Sequence, residues 1–327
     1  MNKFSKIFLL PTLFASLLFI DNGSAFAKST NSLNASEMDR LKNVFKFSDE
    51  HIADLIEDGE IDEYLSMEKP VVSKNTDYFE LTEDKSGKIS AKKLTKSEFK
   101  EKVEKMQQKN KKKEKKSKST DGLVSTMDYD INDDHDYITL ETWFIYDEED
   151  WDAQASARFE FADNSSSLGF TKKLYDDFLG IGVSSNARLN RGTEEYYLKY
   201  KLYGFDGEYD KYGNPIYEWY SVTKRDDSAD VRDANGYGFN VNFPSLDDNR
   251  KQYIKNIRGY MKVEVEPEGR YWDGKRYDIF SHYLHLTKKI KLSSLDISFE
   301  GGGGISFDYE DKVEKITGHV YERIDDR

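Results

Sequence analysis

The sequence predicts a mainly β protein. Residues 128–327 read as an antiparallel, jelly-roll-like β-sandwich, and a small helical segment with a short hairpin precedes it at 28–108. Three observations carry this. After residue 128, about ten segments alternate apolar and polar residues with period two, the signature of half-buried strands. The chain holds 22 Tyr and 20 Phe but only 5 Pro, a composition suited to pleated surfaces. Charge is segregated: 36–84 carries 5 basic and 15 acidic groups, 85–118 carries 15 basic and 4 acidic, and the remainder is acidic again.

The first 27 residues have the layout of a secretory signal. Lys3 and Lys6 open it, an apolar run follows from Ile7 to Ile20, and Ala25-Phe26-Ala27 forms an A-x-A cleavage site. The apolar run is shorter than the roughly 20 residues of a membrane span. Nothing after it approaches that length, so the expectation is a secreted protein, extracellular or cell-wall associated, with no transmembrane segment once the signal is removed. There is no cysteine, which fits a Gram-positive exporter that does not rely on disulfides. The net charge of −13 disfavours nucleic acid as a partner and favours a monomer.

In the helical segment, Ser36 is the expected cap of a helix carrying Met38, Leu41, Val44 and Phe45. Ser48 caps a second, with Asp49 and Glu50 in its first turn and Gly59 ending it. A third covers Ile61 to Leu65. Tyr78–Leu81 and Lys88–Ser90 flank a Ser86-Gly87 turn as a small hairpin, and Ser97 starts a helix through Phe99, Val103 and Met106. Residues 109–127 form a Lys-rich linker. Its lysine tract from Lys109 to Ser119 has no apolar residue, so it reads as a solvated helix extension or a disordered linker. Lys111, Lys112, Lys113, Lys115 and Lys116 also make it a candidate electrostatic tether to anionic polymers or headgroups.

In the β region, Ile138–Tyr146, Ala153–Phe161, Leu198–Leu202, Tyr237–Phe243, Met261–Val265 and Ile316–Tyr321 alternate cleanly. Phe178–Val183 is continuously apolar and reads as a central strand. Ile297 and Phe299 precede four glycines and Ile305 and Phe307 follow them, which predicts a flexible hairpin turn. The layout resembles secreted and prophage-borne proteins of Gram-positive bacteria to which no function is assigned. The likeness rests on the signal, on FSDEHIADLIEDGEIDEYL before a lysine-rich stretch, and on GIGVSS in a β domain. It implies export and this architecture, and it brings no catalytic residues.

The chain carries no HExxH, GxSxG or phosphate-binding glycine pattern. His282 and His285, three apart on a strand, point to opposite faces and cannot share a metal without a distortion such as a bulge. Structural calcium is the one cofactor candidate, through Asp133, Asp134 and Asp136 and through Asp230 and Asp233, although neither loop fits an EF-hand. Trp151, Trp219 and Trp272 fall in acidic or hairpin loops. They read either as anchors for sugar rings and partner proteins or as caps on the ends of the core. The function expected is therefore a secreted binding module directed at a cell-wall polymer, glycan or surface protein. The alternative is a secreted effector or pore-former using Leu292–Tyr309 as a hairpin. A wall-polymer hydrolase ranks behind both.

Overall fold

The computed structural model describes residues 33–84, 88–117, 135–162, 177–243, 253–269, 271–272, 274–286, 297–308 and 313–324. The signal at 1–27, Asp133, Asp134 and the flank from Leu292 to 296 lie outside them. The chain divides into two units, 1–43 with 47–66, and 44–46 with 67–327.

The first unit is helical: α1 (Ala35–Asn43), α2 (Asp49–Asp58) and α3 (Ile61–Ser66). Ser48 caps α2 by accepting from the His51 N–H at 3.1 Å. Gly59 ends it in the left-handed region, φ 81°, which a residue with Cβ resists. α1 starts earlier than Ser36 implies. Asn34 and Glu37 cap each other's backbone N–H at 2.8 and 2.9 Å, a reciprocal box that leaves Ser36 inside the first turn. Leu41, Ile52, Leu55, Ile61 and Tyr64 form the buried interior.

The second unit is a sandwich of two antiparallel sheets. The larger runs β2 (Ile89–Leu94), β1 (Pro70–Glu83), β3 (His135–Asp147), β4 (Ala153–Phe161), β11 (Tyr253–Pro267), β7 (Glu195–Tyr209) and β8 (Pro215–Asp226), with β6 (Ala187–Leu189) also on β11. The smaller runs β15 (Val313–Arg323), β12 (Arg276–Leu286), β5 (Asp177–Val183), β10 (Gly236–Val241) and β9 (Val231–Asp233). A separate pair, β13 (Ile297–Phe299) and β14 (Ile305–Phe307), brackets the four glycines. β5 lies at the centre of its sheet with every residue buried, as its continuous apolar run predicts.

Inward positions of both sheets fill one core. Phe159 and Tyr283 meet across it with centroids 4.6 Å apart, and Tyr196 stacks on Phe239 at 5.1 Å. Polar ties also cross it: Thr142 Oγ1 to Ser281 Oγ at 2.5 Å, and the Ala91 N–H to Glu314 at 2.7 Å.

The boundary expected at 109–127 is corrected. The β1–β2 hairpin is part of the sandwich, because β1 pairs with β3 from Pro70↔Asp147 to Thr82↔His135. The helix after it, α4 (Lys96–Ser117), is opened by Thr95 and Glu98 rather than Ser97. Thr95 N–H donates to Glu98 at 2.8 Å, and Thr95 Oγ1 accepts from Glu98 N–H at 3.3 Å. Helical backbone continues through Lys111, Lys112, Lys113, Lys115 and Lys116.

Candidate functional site

Among the described residues, three of the six large exposed aromatics, Phe205, Tyr209 and Tyr212, lie on one hairpin, while Trp151, Tyr271 and Tyr321 lie elsewhere. Among the described residues, β7 pairs with β11 as far as Tyr203↔Tyr253, and with β8 on to Phe205↔Tyr217 and, past an irregularity, Tyr209↔Pro215. Among those residues, 204–218 form a two-stranded arm beyond the β11 pairing. Its turn is held by Asp210. That carboxylate accepts from Tyr212 N–H at 2.8 Å, Asn214 N–H at 2.9 Å and Asn214 Nδ2 at 3.0 Å, and these bonds hold its pKa below the usual carboxylate value. Gly213 supplies the positive φ, 84°. The tightened turn presents Tyr209 and Tyr212 at 62 % and 76 % exposure.

The face continues down the arm. Phe205 meets Tyr209 at 5.0 Å, and Tyr203 meets Trp219 at 5.5 Å. Lys255 Nζ lies 3.9 Å above the Trp219 ring and Lys211 Nζ 4.9 Å from that of Tyr212. Flat rings beside ammonium groups suit a ligand with both apolar faces and negative charge.

The other two candidate tryptophans, Trp151 and Trp272, lie elsewhere. Trp151 sits in the β3–β4 turn, at the far end of the sheet from Trp219 by strand register, in the left-handed region at φ 66° and 45 % exposed. Its carbonyl accepts the Trp272 indole N–H at 3.1 Å. Trp272 is not a loop anchor: it is 3 % exposed and packs against Tyr146 at 5.4 Å and Tyr277 at 4.7 Å, closing that end of the core. The adjoining cleft, lined by Val71, Tyr146, Trp151 and Arg323, holds about 160 Å³, below the range of typical ligand pockets. A larger hollow of about 400 Å³ lies along α4 between Glu98, Lys102 and Tyr137, but Lys102 and Tyr137 both turn to Glu80, at 3.0 and 3.3 Å.

The acidic loop has structural duties. Asp230 accepts the Asn240 N–H at 2.7 Å, and Asp233 accepts those of Asn235, at 2.7 Å, and Phe299. Asp136 is fully buried. Among the described residues no three His, Asp or Glu side chains are placed to hold a metal ion.

A buried polar cluster joins β3, β5 and β12, and no local pattern announces it. Asp177 accepts from the Tyr283 hydroxyl, from His285 Nδ1 at 2.9 Å and from Leu286 N–H at 3.3 Å. Burial alone lowers the His285 pKa, but the Asp177 charge and hydrogen bond, with Asp136 and Glu314, outweigh it and raise the value. Asp136 has no hydrogen-bond partner for either oxygen among the described residues, and burial drives its pKa well up against the opposing pull of His285. A raised carboxyl pKa means stability falls as pH rises above the ordinary carboxylate range. Asp136→Asn is therefore expected to raise the melting temperature at pH 7.5, with a smaller gain at pH 5. An equal or negative shift at pH 7.5 would refute this.

No family model matches the chain, and no curated protein matches it. Among solved structures, it is similar to one described as a pore forming protein, with TM-score 0.26, 10 % identity, and coverage of 57 % of this chain and 87 % of that one. The membrane-inserted NetB toxin of Clostridium perfringens gives TM-score 0.24, 10 % identity and coverage of 57 % and 91 %. A structure concerning pH-induced modulation of Streptococcus parasanguinis adhesion by Fap1 fimbriae gives 0.23, 10 % identity and coverage of 57 % and 80 %. Likeness at this level carries no functional argument. Among the described residues, no helix is long and apolar enough to cross a membrane.

Proposed function

We propose that this chain is an exported, cell-surface-directed binding protein of Gram-positive origin that holds an anionic polymer or glycan through the β7–β8 arm. The observation that carries the reading is the exposure of Tyr209 and Tyr212 on a turn fixed by Asp210, with lysines at Trp219 and Tyr212. Export rests on the leader at 1–27. The lysines of α4 act as a second, electrostatic contact that salt weakens.

The test is co-sedimentation of the mature protein with intact Gram-positive cells. Removing residues 28–118 is the wrong control, since it deletes β1 and β2 from the larger sheet. A Tyr209→Ala/Tyr212→Ala variant is expected to bind at least about tenfold more weakly, the loss of two anchor rings, with stability changed by no more than about 0.5 kcal/mol. Unchanged binding sinks the reading. Glutamine at Lys111, Lys112, Lys113, Lys115 and Lys116 is expected to flatten the salt dependence and leave the rest.

One observation favours a second reading, a membrane-active effector. β13–β14 docks as a separate piece on the outer side of the smaller sheet, through Phe299 and Ile305, rather than as strands within it. Its paired strands are 3 residues each, against about 9–11 for a membrane-crossing strand. Dye release from anionic liposomes would support this reading, and retention at pH 5–7.5 would count against it.

A further inference from the structure

β8 ends the larger sheet. Among the described residues its 12-residue strand pairs on one side only, with β7. Such an edge presents a row of backbone donors and acceptors to any strand that fits it. The other long edge, β15, carries its acids at even positions (Glu314, Glu322) and its bases at odd ones (Lys315, His319, Arg323). Antiparallel residues that face each other must share a sheet face, so two copies of β15 can never set an acid against a base.

β8 has the opposite property. Glu218, Tyr220, Val222 and Lys224 alternate onto one face, and Tyr220 and Val222 pack against the core. Place two copies antiparallel about a two-fold axis at Ser221. Every residue from Ile216 to Asp226 then has a partner, and the faces of both sheets are continuous. Glu218 stands opposite Lys224 of the second copy, and the symmetry repeats the pair. Tyr220 stands opposite Val222, an aromatic on a β-branched residue, again twice. Trp219 stands opposite Thr223. No like charges meet. Moving the axis by one residue breaks the match: at Val222 it sets Glu218 against Asp226, and at Tyr220 it leaves Glu218 facing Val222. Lys224 donates to Asn242 O and lies 5.9 Å from the Tyr200 ring within its own chain.

We infer that β8 is a self-association edge, through which two copies of this chain pair about Ser221 into one continuous sheet. The dimer would carry two aromatic arms and gain avidity on a repeating polymer.

The absence of cysteine gives a direct test. In the Ser221→Cys variant the only two thiols lie opposite each other, with Cα atoms about 4.5–5.5 Å apart, within disulfide reach. Mild oxidation should give a covalent dimer. Thr223→Cys places its thiols four residues out of register, about 13 Å apart, and should stay uncrosslinked. Both positions are exposed, so folding is preserved, which circular dichroism verifies. By sedimentation equilibrium, Lys224→Glu should weaken the dimer about tenfold, and adding Glu218→Lys should restore it. A monomer at about 100 μM, cross-linking of Thr223→Cys as fast as Ser221→Cys, or indifference to Lys224→Glu would each overturn the inference.

Discussion

Asp177→Ala is expected to cost about 3–5 kcal/mol, the penalty for breaking a buried pair by removing one partner. The loss follows from what remains. The Tyr283 hydroxyl, His285 Nδ1–H and Leu286 N–H all lose their acceptor in a site where Asp177 itself is 1 % exposed. On a sandwich of this size that lowers the melting temperature by roughly 10 °C. The pH dependence identifies the cause. In the native chain the folded pKa of His285 is raised, so its contribution is complete below the ordinary value of 6.5 and is lost as pH rises through the raised one. Without Asp177, burial dominates and the pKa moves down, so the variant is penalised below pH 6.5 instead. The gap between native and variant melting temperatures should be wider at pH 5.5 than at pH 8.5. A uniform gap would mean that Asp177 acts through packing alone.

Much of the sandwich was legible because period two is a local signal. Ala153–Phe161 and Met261–Val265 read as strands and are strands. His282 and His285 do face opposite ways, His282 to the β13–β14 loop and His285 to Asp177. β1 was legible only at its end. Its face toward the smaller sheet carries Ser73 and Asp77, with Ser73 bonded to Glu322 at 2.5 Å, so polar residues stand where the alternation needs apolar ones. The helix starts erred for a related reason. Ser36 and Ser97 are good caps in isolation, but Asn34 with Glu37 and Thr95 with Glu98 satisfy two N–H groups each, and that spacing was readable. Trp272 stayed open between anchor and core cap because nothing local says which end of a sandwich a loop closes, and it is the cap. The Asp136–Asp177–His285 cluster joins strands far apart in sequence, and only pairing of the sheets brings them together. The arm was half legible: Trp219 was singled out, while the more exposed Tyr209 and Tyr212 were not.

The docked β13–β14 hairpin carries the other large expected effect. It rests on a floor of glycines from β5 and β10. A Cβ on Gly236 would fall 2.1 Å from the Phe299 ring, and one on Gly182 would fall 2.5 Å from Gly303 O, a backbone atom that cannot turn aside. Above that floor, His282 Nε2–H donates to Gly303 O at 2.7 Å, while Nδ1 accepts from Thr317 Oγ1 at 3.2 Å. Phe280 and Phe299 flank the ring, and Lys315 is the charged group that bears on it. Burial lowers the His282 pKa to about 4, with the Gly303 bond opposing and Lys315 assisting. A depressed folded pKa places the stabilisation above 6.5 and removes it as pH falls toward 4. The loss is about 3 kcal/mol in that window, from 1.4 kcal/mol per unit. Acid should therefore loosen the hairpin first, and a protease should begin to cut at Gly301–Gly304 between pH 6 and 4. His282→Gln, which keeps a donor for Gly303 O but has no proton to gain, should remove most of that pH dependence. Gly182→Ala should give the cut form at every pH, with destabilisation of about 1–3 kcal/mol from overpacking. If the native chain and His282→Gln are cut along the same pH curve, His282 does not hold the hairpin down, and the glycine floor alone does.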